Sequence, residues 1–296
     1  MLGKAEFLRN AFAKALYEAA LADERIYILA ADISPAGPLV QFAKDFPRRF
    51  VNVGVAEQTM IGMAAGLALK GMRPFCYTIA TFALYRPFEF IRNDLAYQKL
   101  PVTVVGMGAG LNYSTLGATH HAIEDVAIAS AIPGMRVLAP HDPRSTERAV
   151  KECLNGGPTY LRLGKAGEPN LNLAPMVGNT CVIGYGPILG LFNEEFTTIP
   201  IVQLKPLDEE EIRRLLHVFS RIFVVEEHTP WLGPKIRAIA QQNDIGGAIH
   251  TFALKDEFIH FHGEREELLR LHGLTAEQVF AKLGQKRDIP RHAISR

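Results

Sequence analysis

Cysteine is scarce in this chain: only Cys76, Cys153 and Cys181 occur in 296 residues, and no two form a Cys-x-x-Cys pair. That spacing offers neither a disulfide frame nor a zinc knuckle, and it suits a reducing cytoplasm. Net charge is nearly absent too, at +1 from 32 basic and 31 acidic side chains. Nothing in that balance implies nucleic acid or another polyanion as partner. Apolar runs fall well short of a membrane span, so no membrane partner is expected. The opening Met1-Leu2-Gly3-Lys4-Ala5-Glu6 lacks the apolar centre of a signal peptide. What is plentiful is apolar content, 48%, with a mean hydropathy of +0.06. With no span to absorb it, the surplus implies substantial cores and a large subunit interface.

The chain alternates β-rich and helical stretches. Strands are expected at 26–31, 74–79, 101–105, 136–140 and 159–163, and again at 180–184, 199–204, 222–226 and 248–253. Helical spacing falls at 5–22, 143–154, 208–217 and 233–242. Lys165 to Pro175 has the composition of a linker. The resulting fold is two α/β domains with largely parallel sheets, residues 1–165 and 179–296, joined by a linker at 166–178. The second domain is short, because only about a dozen residues separate Leu189 from Ile201.

One stretch stands apart. Phe50-Val51-Asn52-Val53 is a short β-rich run, Gly54 breaks it, and the residues up to Lys70 form a helix of small apolar positions. Apolar or glycine residues occur on every face of that helix, which argues for burial on all sides. Glu57 occupies its first turn, where backbone dipoles favour negative charge. A carboxylate buried alone is costly, so something polar must meet it. The plainer reading is a capping residue that faces water.

The neighbours of Glu57 give it a context. Val55-Ala56-Glu57-Gln58, followed by Ala64-Ala65-Gly66-Leu67-Ala68, resembles the glutamate motif in the pyrimidine-binding domain of transketolases and 1-deoxyxylulose-5-phosphate synthases. The resemblance continues in family order through Thr81-Phe82, Gln98 to Val102, Gly117-Ala118-Thr119-His120 and Ile132-Pro133-Gly134-Met135. It resumes at Lys205-Pro206-Leu207-Asp208, Glu226-Glu227-His228 and His272-Gly273-Leu274. The Gly-Asp-Gly…Asn signature that holds magnesium diphosphate in these enzymes is missing. The chain thus resembles the C-terminal half of a split transketolase. That resemblance implies thiamine diphosphate and Mg2+ as cofactors, both largely held by an N-terminal, diphosphate-binding partner subunit in an α2β2 assembly. The implied reaction moves a two-carbon ketol unit from a sugar ketose to an aldehyde.

The same resemblance assigns roles. Glu57 would be the acid on the cofactor's pyrimidine ring, with Phe82, Tyr85 and Phe88 stacked around that ring. Asp32, at the end of the first strand, would lie at the cleft. His120 would contact the sugar donor, and Arg9 and Arg162 would meet substrate phosphate. The residues alone leave plainer readings open: core packing for the three rings, a solvated helix face for Arg9, and an ion pair at the domain edge for Arg162. Arg86 and Arg92 read as structural ion pairs, and Glu226-Glu227-His228 as a structural turn at the domain interface. Transketolases usually carry aspartate where this chain has Leu116, and a leucine cannot hydrogen-bond a sugar hydroxyl. Ordinary pentose phosphates are therefore not the expected substrates. Gly106-Met107-Gly108-Ala109-Gly110 misses the dinucleotide fingerprint at Leu111. Neither His120-His121 nor His260-Phe261-His262 is framed by further ligands, so no metal site is expected. Rival readings are a thiamine-dependent synthase, a keto-acid dehydrogenase β subunit, and a non-catalytic scaffold.

Overall fold

The computed structural model describes residues 8–32, 39–165, 178–192 and 197–281. Apart from residue 178, the expected linker lies outside the described residues. The first unit begins with Leu8–Ala22 (α1), which buries Leu8, Phe12, Leu16 and Ala20 at helical spacing. There follow Ile26–Ala30 (β1), Val40–Asp45 (α2), Phe50–Asn52 (β2), Glu57–Leu69 (α3), Arg73–Ile79 (β3) and Ala80–Leu84 (α4). Phe88–Phe90 (α5) runs into a π-helical stretch at Ile91–Ala96, then Thr103–Met107 (β4) and a 3-10 turn at Ser114–Leu116. Asp125–Ala131 (α6), Arg136–Leu138 (β5), Pro143–Leu154 (α7) and Thr159–Leu163 (β6) complete it.

These strands form a sheet in the order β2-β1-β3-β4-β6-β5, with every pair parallel. All five residues of β4 and of β6 are buried, as expected of parallel strands covered on both faces. Alternate side chains serve the two cores. Ile28, Phe75, Val105 and Leu161 meet α1 and α7, whereas Leu29, Cys76, Val104 and Tyr160 face the α3 side.

The second unit holds Thr180–Gly184 (β7), a 3-10 turn at Pro187–Leu191, Thr197–Pro200 (β8), Gln203–Lys205 (β9) and Glu209–Val218 (α8). Arg221–Glu226 (β10), Leu232–Gln242 (α9), Ala248–Ala253 (β11), Arg265–Leu271 (α10) and Ala276–Ala281 (α11) follow. Its parallel sheet runs β11-β10-β7-β8. Between β7 and β8 the described residues contain only the 3-10 turn. Glu226, at the end of β10, accepts the backbone N–H groups of Trp231, Leu232 and Gly233 and so caps α9 from a distance.

Two sequence expectations need correction. The strand expected at 199–204 is two strands. β8 stays in the second sheet, while β9 crosses over and pairs antiparallel with β5, extending the first sheet. The Ala139 N–H also donates to Val202 O at 2.8 Å. This crossing satisfies the backbone of β5, which would otherwise be a bare sheet edge. The Lys205 ammonium then donates to the carbonyls of Ser130 and Ile132 at the end of α6. The second concerns α3, for which burial against protein on all sides is not reached among the described residues of this one chain. Met60, Ile61, Ala64, Ala65 and Ala68 face the core. Gln58, Thr59, Gly62, Met63, Gly66 and Leu69 are exposed, with no element among the described residues covering them.

Candidate active site

Glu57 opens α3 and is 3% exposed. Its polar neighbour is Arg86, whose Nη1 donates to Glu57 Oε1 at 3.1 Å. Arg86 thus makes the ion pair expected of it, and its partner is Glu57. Its side chain is 46% exposed, and its guanidinium carbon lies 4.3 Å from the centre of the Phe82 ring. Phe82 sits on α4, after the carboxyl end of β3.

The next contact is His120. Its ring meets Phe82 edge-on, with centroids 5.1 Å apart, and meets Tyr113 at 6.0 Å. Thr81 Oγ1 donates to Thr119 O at 3.0 Å, tying the start of α4 to the His120 loop. Burial, then the neighbouring His121 and Arg86, hold the His120 pKa below its ordinary 6.5. A neutral imidazole of this kind can both donate and accept a hydrogen bond at physiological pH. The Lys165 ammonium lies 5.0 Å from the Tyr113 ring, and the charge of Arg9 is felt at Tyr113 and Tyr77. Glu57, Arg86, Phe82, His120, Tyr113 and Lys165 thus form one continuous series of contacts.

Other expected residues make different contacts. The aromatic stripe splits, because α4 ends at Leu84 and Pro87 precedes α5. Tyr85 and Phe88 pack against the α3-side core, and the Tyr85 hydroxyl donates to Glu124 Oε2 at 2.8 Å. Asp32 is exposed at the carboxyl end of β1 with φ 51°, its N–H donating to Asn52 Oδ1 at 3.3 Å. The carboxyl ends of parallel strands are where such folds bind ligands.

Arg162 has the opposite character: it is 3% exposed and its fork is already engaged. Nε donates to both Asp125 oxygens, at 2.9 and 3.2 Å, and Nη2 donates to Glu227 O at 3.2 Å. This is the ion pair at the domain edge, and it engages the Nε and Nη2 donors within the chain. Tyr113 and Lys165 were not singled out in the sequence, although both follow the carboxyl ends of strands, β4 and β6, where such folds collect ligand-binding residues. Among the described residues, no group of three or more His, Cys, Asp and Glu side chains is arranged to hold a metal ion.

Residues 7–168 match the transketolase pyrimidine-binding domain, and residues 193–279 match the transketolase C-terminal domain. The chain belongs to the transketolase family. It is similar to a putative transketolase C-terminal section of Methanocaldococcus jannaschii, 33% identical over 93% of this chain and 95% of that protein. It is also similar to one of the subunits of an apulose-4-phosphate transketolase of Phocaeicola vulgatus, 30% identical over 92% of this chain and 94% of the other. A solved split-gene transketolase, an inactive tetramer of beta subunits, superposes with a TM-score of 0.79 at 30% identity, covering 94% of this chain and 97% of that one.

Beneath the site of this transketolase-family chain lies a buried polar network. Asp125 accepts from Arg162 and from the Tyr160 hydroxyl at 2.8 Å. His228, fully buried, accepts the Val126 N–H at Nε2 and faces Thr229 O at Nδ1. Burial pushes its pKa down to about 4, against the pull of Asp125. The unfolded chain therefore takes up this proton first as pH falls. Stability from neutral His228 is complete above about pH 6.5 and is lost down to about pH 4. The loss is on the order of 3 kcal/mol. His228→Gln, whose amide can make both hydrogen bonds, is expected to flatten the fall in urea midpoint across that pH window. An unchanged slope would assign the acid sensitivity to other groups.

Proposed function

We propose that this chain is the pyrimidine-binding and C-terminal half of a split transketolase, active once an N-terminal, diphosphate-binding subunit completes the site. The observation that carries this reading is the convergence of a buried carboxylate at a helix start, an aromatic ring and an imidazole. Family membership implies thiamine diphosphate. Glu57 and Phe82, both in contact with Arg86, fit its pyrimidine end, one offering a carboxyl group and the other an apolar ring. When bound, the cofactor supplies a carbon nucleophile and an electron sink for breaking and forming carbon–carbon bonds. The chain's own part is narrower. Glu57 would hold a proton at the pyrimidine ring nitrogen, and Phe82 would pack on the ring. His120 would exchange protons with oxygens of a ketose or an aldehyde. Arg9 and Lys165 would supply positive charge for a phosphorylated substrate. Mg2+ and the diphosphate would rest largely on the partner.

The outward face of α3 supports a partner. Gly62, Met63, Gly66 and Leu69 lie open there, with Val55 66% exposed nearby in sequence, an apolar face that a second chain would cover. The inactivity of the solved tetrameric relative agrees with dependence on a different subunit, and α2β2 is the assembly we propose. Calorimetry with thiamine diphosphate and magnesium tests the reading, on this chain alone and mixed with an N-terminal transketolase half. Binding only in the mixture is the expected result. No binding in either sample would refute the split enzyme and favour a scaffold.

Arg86 gives a second check on the same complex. Its guanidinium must leave Phe82 for another ring to stack there, at a cost of about 1 kcal/mol for a cation–π contact. Arg86→Met is therefore expected to tighten cofactor binding by about fivefold. Weaker binding would mean that Arg86 assists the cofactor and does not compete with it.

A further inference from the structure

The segment between β4 and α6 carries Tyr113 and His120, and its only regular structure is one 3-10 turn and a Gly110–Ala122 bridge. So little internal structure cannot fix an imidazole against Phe82 by itself. The second unit supplies the fixing at both ends of the segment. At the entry, Glu227 Oε1 accepts the Leu111 N–H at 2.7 Å. Glu227 is held in turn by Arg265, Nε to Oε1 at 2.9 Å and Nη2 to Oε2. At the exit, the Thr229 N–H donates to Ile123 O at 2.9 Å, and the Val126 N–H donates to His228 Nε2 at 3.2 Å.

The loop's glycines mark where the second unit presses on it. Gly110 and Gly117 have φ +68° and +75°, a region that disfavours side chains. A Cβ on Gly110 would lie 2.9 Å from Glu227 Cδ, and one on Gly117 would lie 2.4 Å from His262 Cε1. Both positions are thus left bare where a second-unit side chain comes down.

We propose that Glu227 and Arg265 are positioning residues, through which the C-terminal unit holds the Tyr113–His120 loop at its working distance from Phe82. Burying a carboxylate is costly unless it is paired and hydrogen-bonded. Here the pairing is directed at one backbone N–H of the loop. The functional importance of the clasp rests on the reading of His120 as the substrate-facing group; the clasp itself rests on the contacts.

The test uses the full chain without cofactor or partner, so its failure is separable from failure of the split-enzyme reading. Amide exchange is followed by mass spectrometry in the natural chain, Arg265→Met and Arg265→Lys. Arg265→Met is expected to speed exchange in residues 111–122 by about tenfold or more, with both sheets unchanged. The His120 ring-proton resonance, shifted by Phe82 and Tyr113, should move towards its free position. Arg265→Lys, which keeps a cation at Glu227, should restore most of both signals. If Arg265→Met does not fold, Glu227→Gln takes its place, since it keeps an acceptor for Leu111 but loses the charge pair. Loop exchange equal to that of the natural chain would overturn the proposal. So would an increase spread evenly over both units, the mark of a pair that only joins them.

Discussion

Glu57→Gln is expected to leave the chain folded and able to assemble, and to cost the assembled enzyme about a thousandfold or more in turnover. The amide has the shape of the carboxyl group, and its oxygen can still accept from Arg86 Nη1, which now lies 3.1 Å from Oε1. A buried site also loses little by giving up a charge that is costly to desolvate. What the amide cannot do is hold a transferable proton at a ring nitrogen. Initial rates of the mixed subunits, with thermal melting as the control for folding, read the two consequences separately. Normal turnover would remove Glu57 from the chemistry, whatever its burial. A collapse of melting temperature would show that the Glu57–Arg86 pair holds the fold together.

The largest effect on stability is expected at Asp125. Its side chain is fully buried and receives Arg162 Nε and the Tyr160 hydroxyl. Asp125→Ala would leave a guanidinium stranded in the interior and a tyrosine hydroxyl without its acceptor. Removing one member of a buried pair costs on the order of 3–5 kcal/mol. A lower urea midpoint is the expected readout, and the double variant Asp125→Ala, Arg162→Met should recover part of the loss because the pair then leaves no stranded charge. A single variant as stable as the natural chain would mean that water or another carboxylate reaches Arg162.

Much of this was legible in the residues. Strands such as β4 and β6 could be placed because each is a continuous buried run. Glu57 stood out as an acid heading an apolar helix. Phe82 and His120 followed from family resemblance, and the structure brings those two rings within 5.1 Å of each other. What could not be read depends on partners distant in sequence. Arg162 and Asp125 are 37 residues apart, and nothing local distinguishes a guanidinium aimed at an aspartate from one aimed at a phosphate. Arg86 read as an ion-pair residue, but its partner could not be named because Glu57 lies 29 residues earlier. Helix α3 revealed its apolar character, but composition could not say which of its faces stays open among the described residues. The division of the 199–204 stretch was invisible for a similar reason: Gln203, Leu204 and Lys205 suit either sheet, and only the bare edge of β5 decides between them.

That transferred strand has a consequence for how the molecule can be cut. A fragment ending at residue 165 would contain every residue of the series from Glu57 to Lys165, yet Val137 and Leu138 would present an unpaired, apolar edge. Such an edge is a template for self-association. The C-terminal unit therefore covers, within the same chain, an edge of the half that carries the candidate site. Exchange of that unit between homologous chains would succeed only if the incoming piece brought its own Gln203–Lys205 strand, matched to β5.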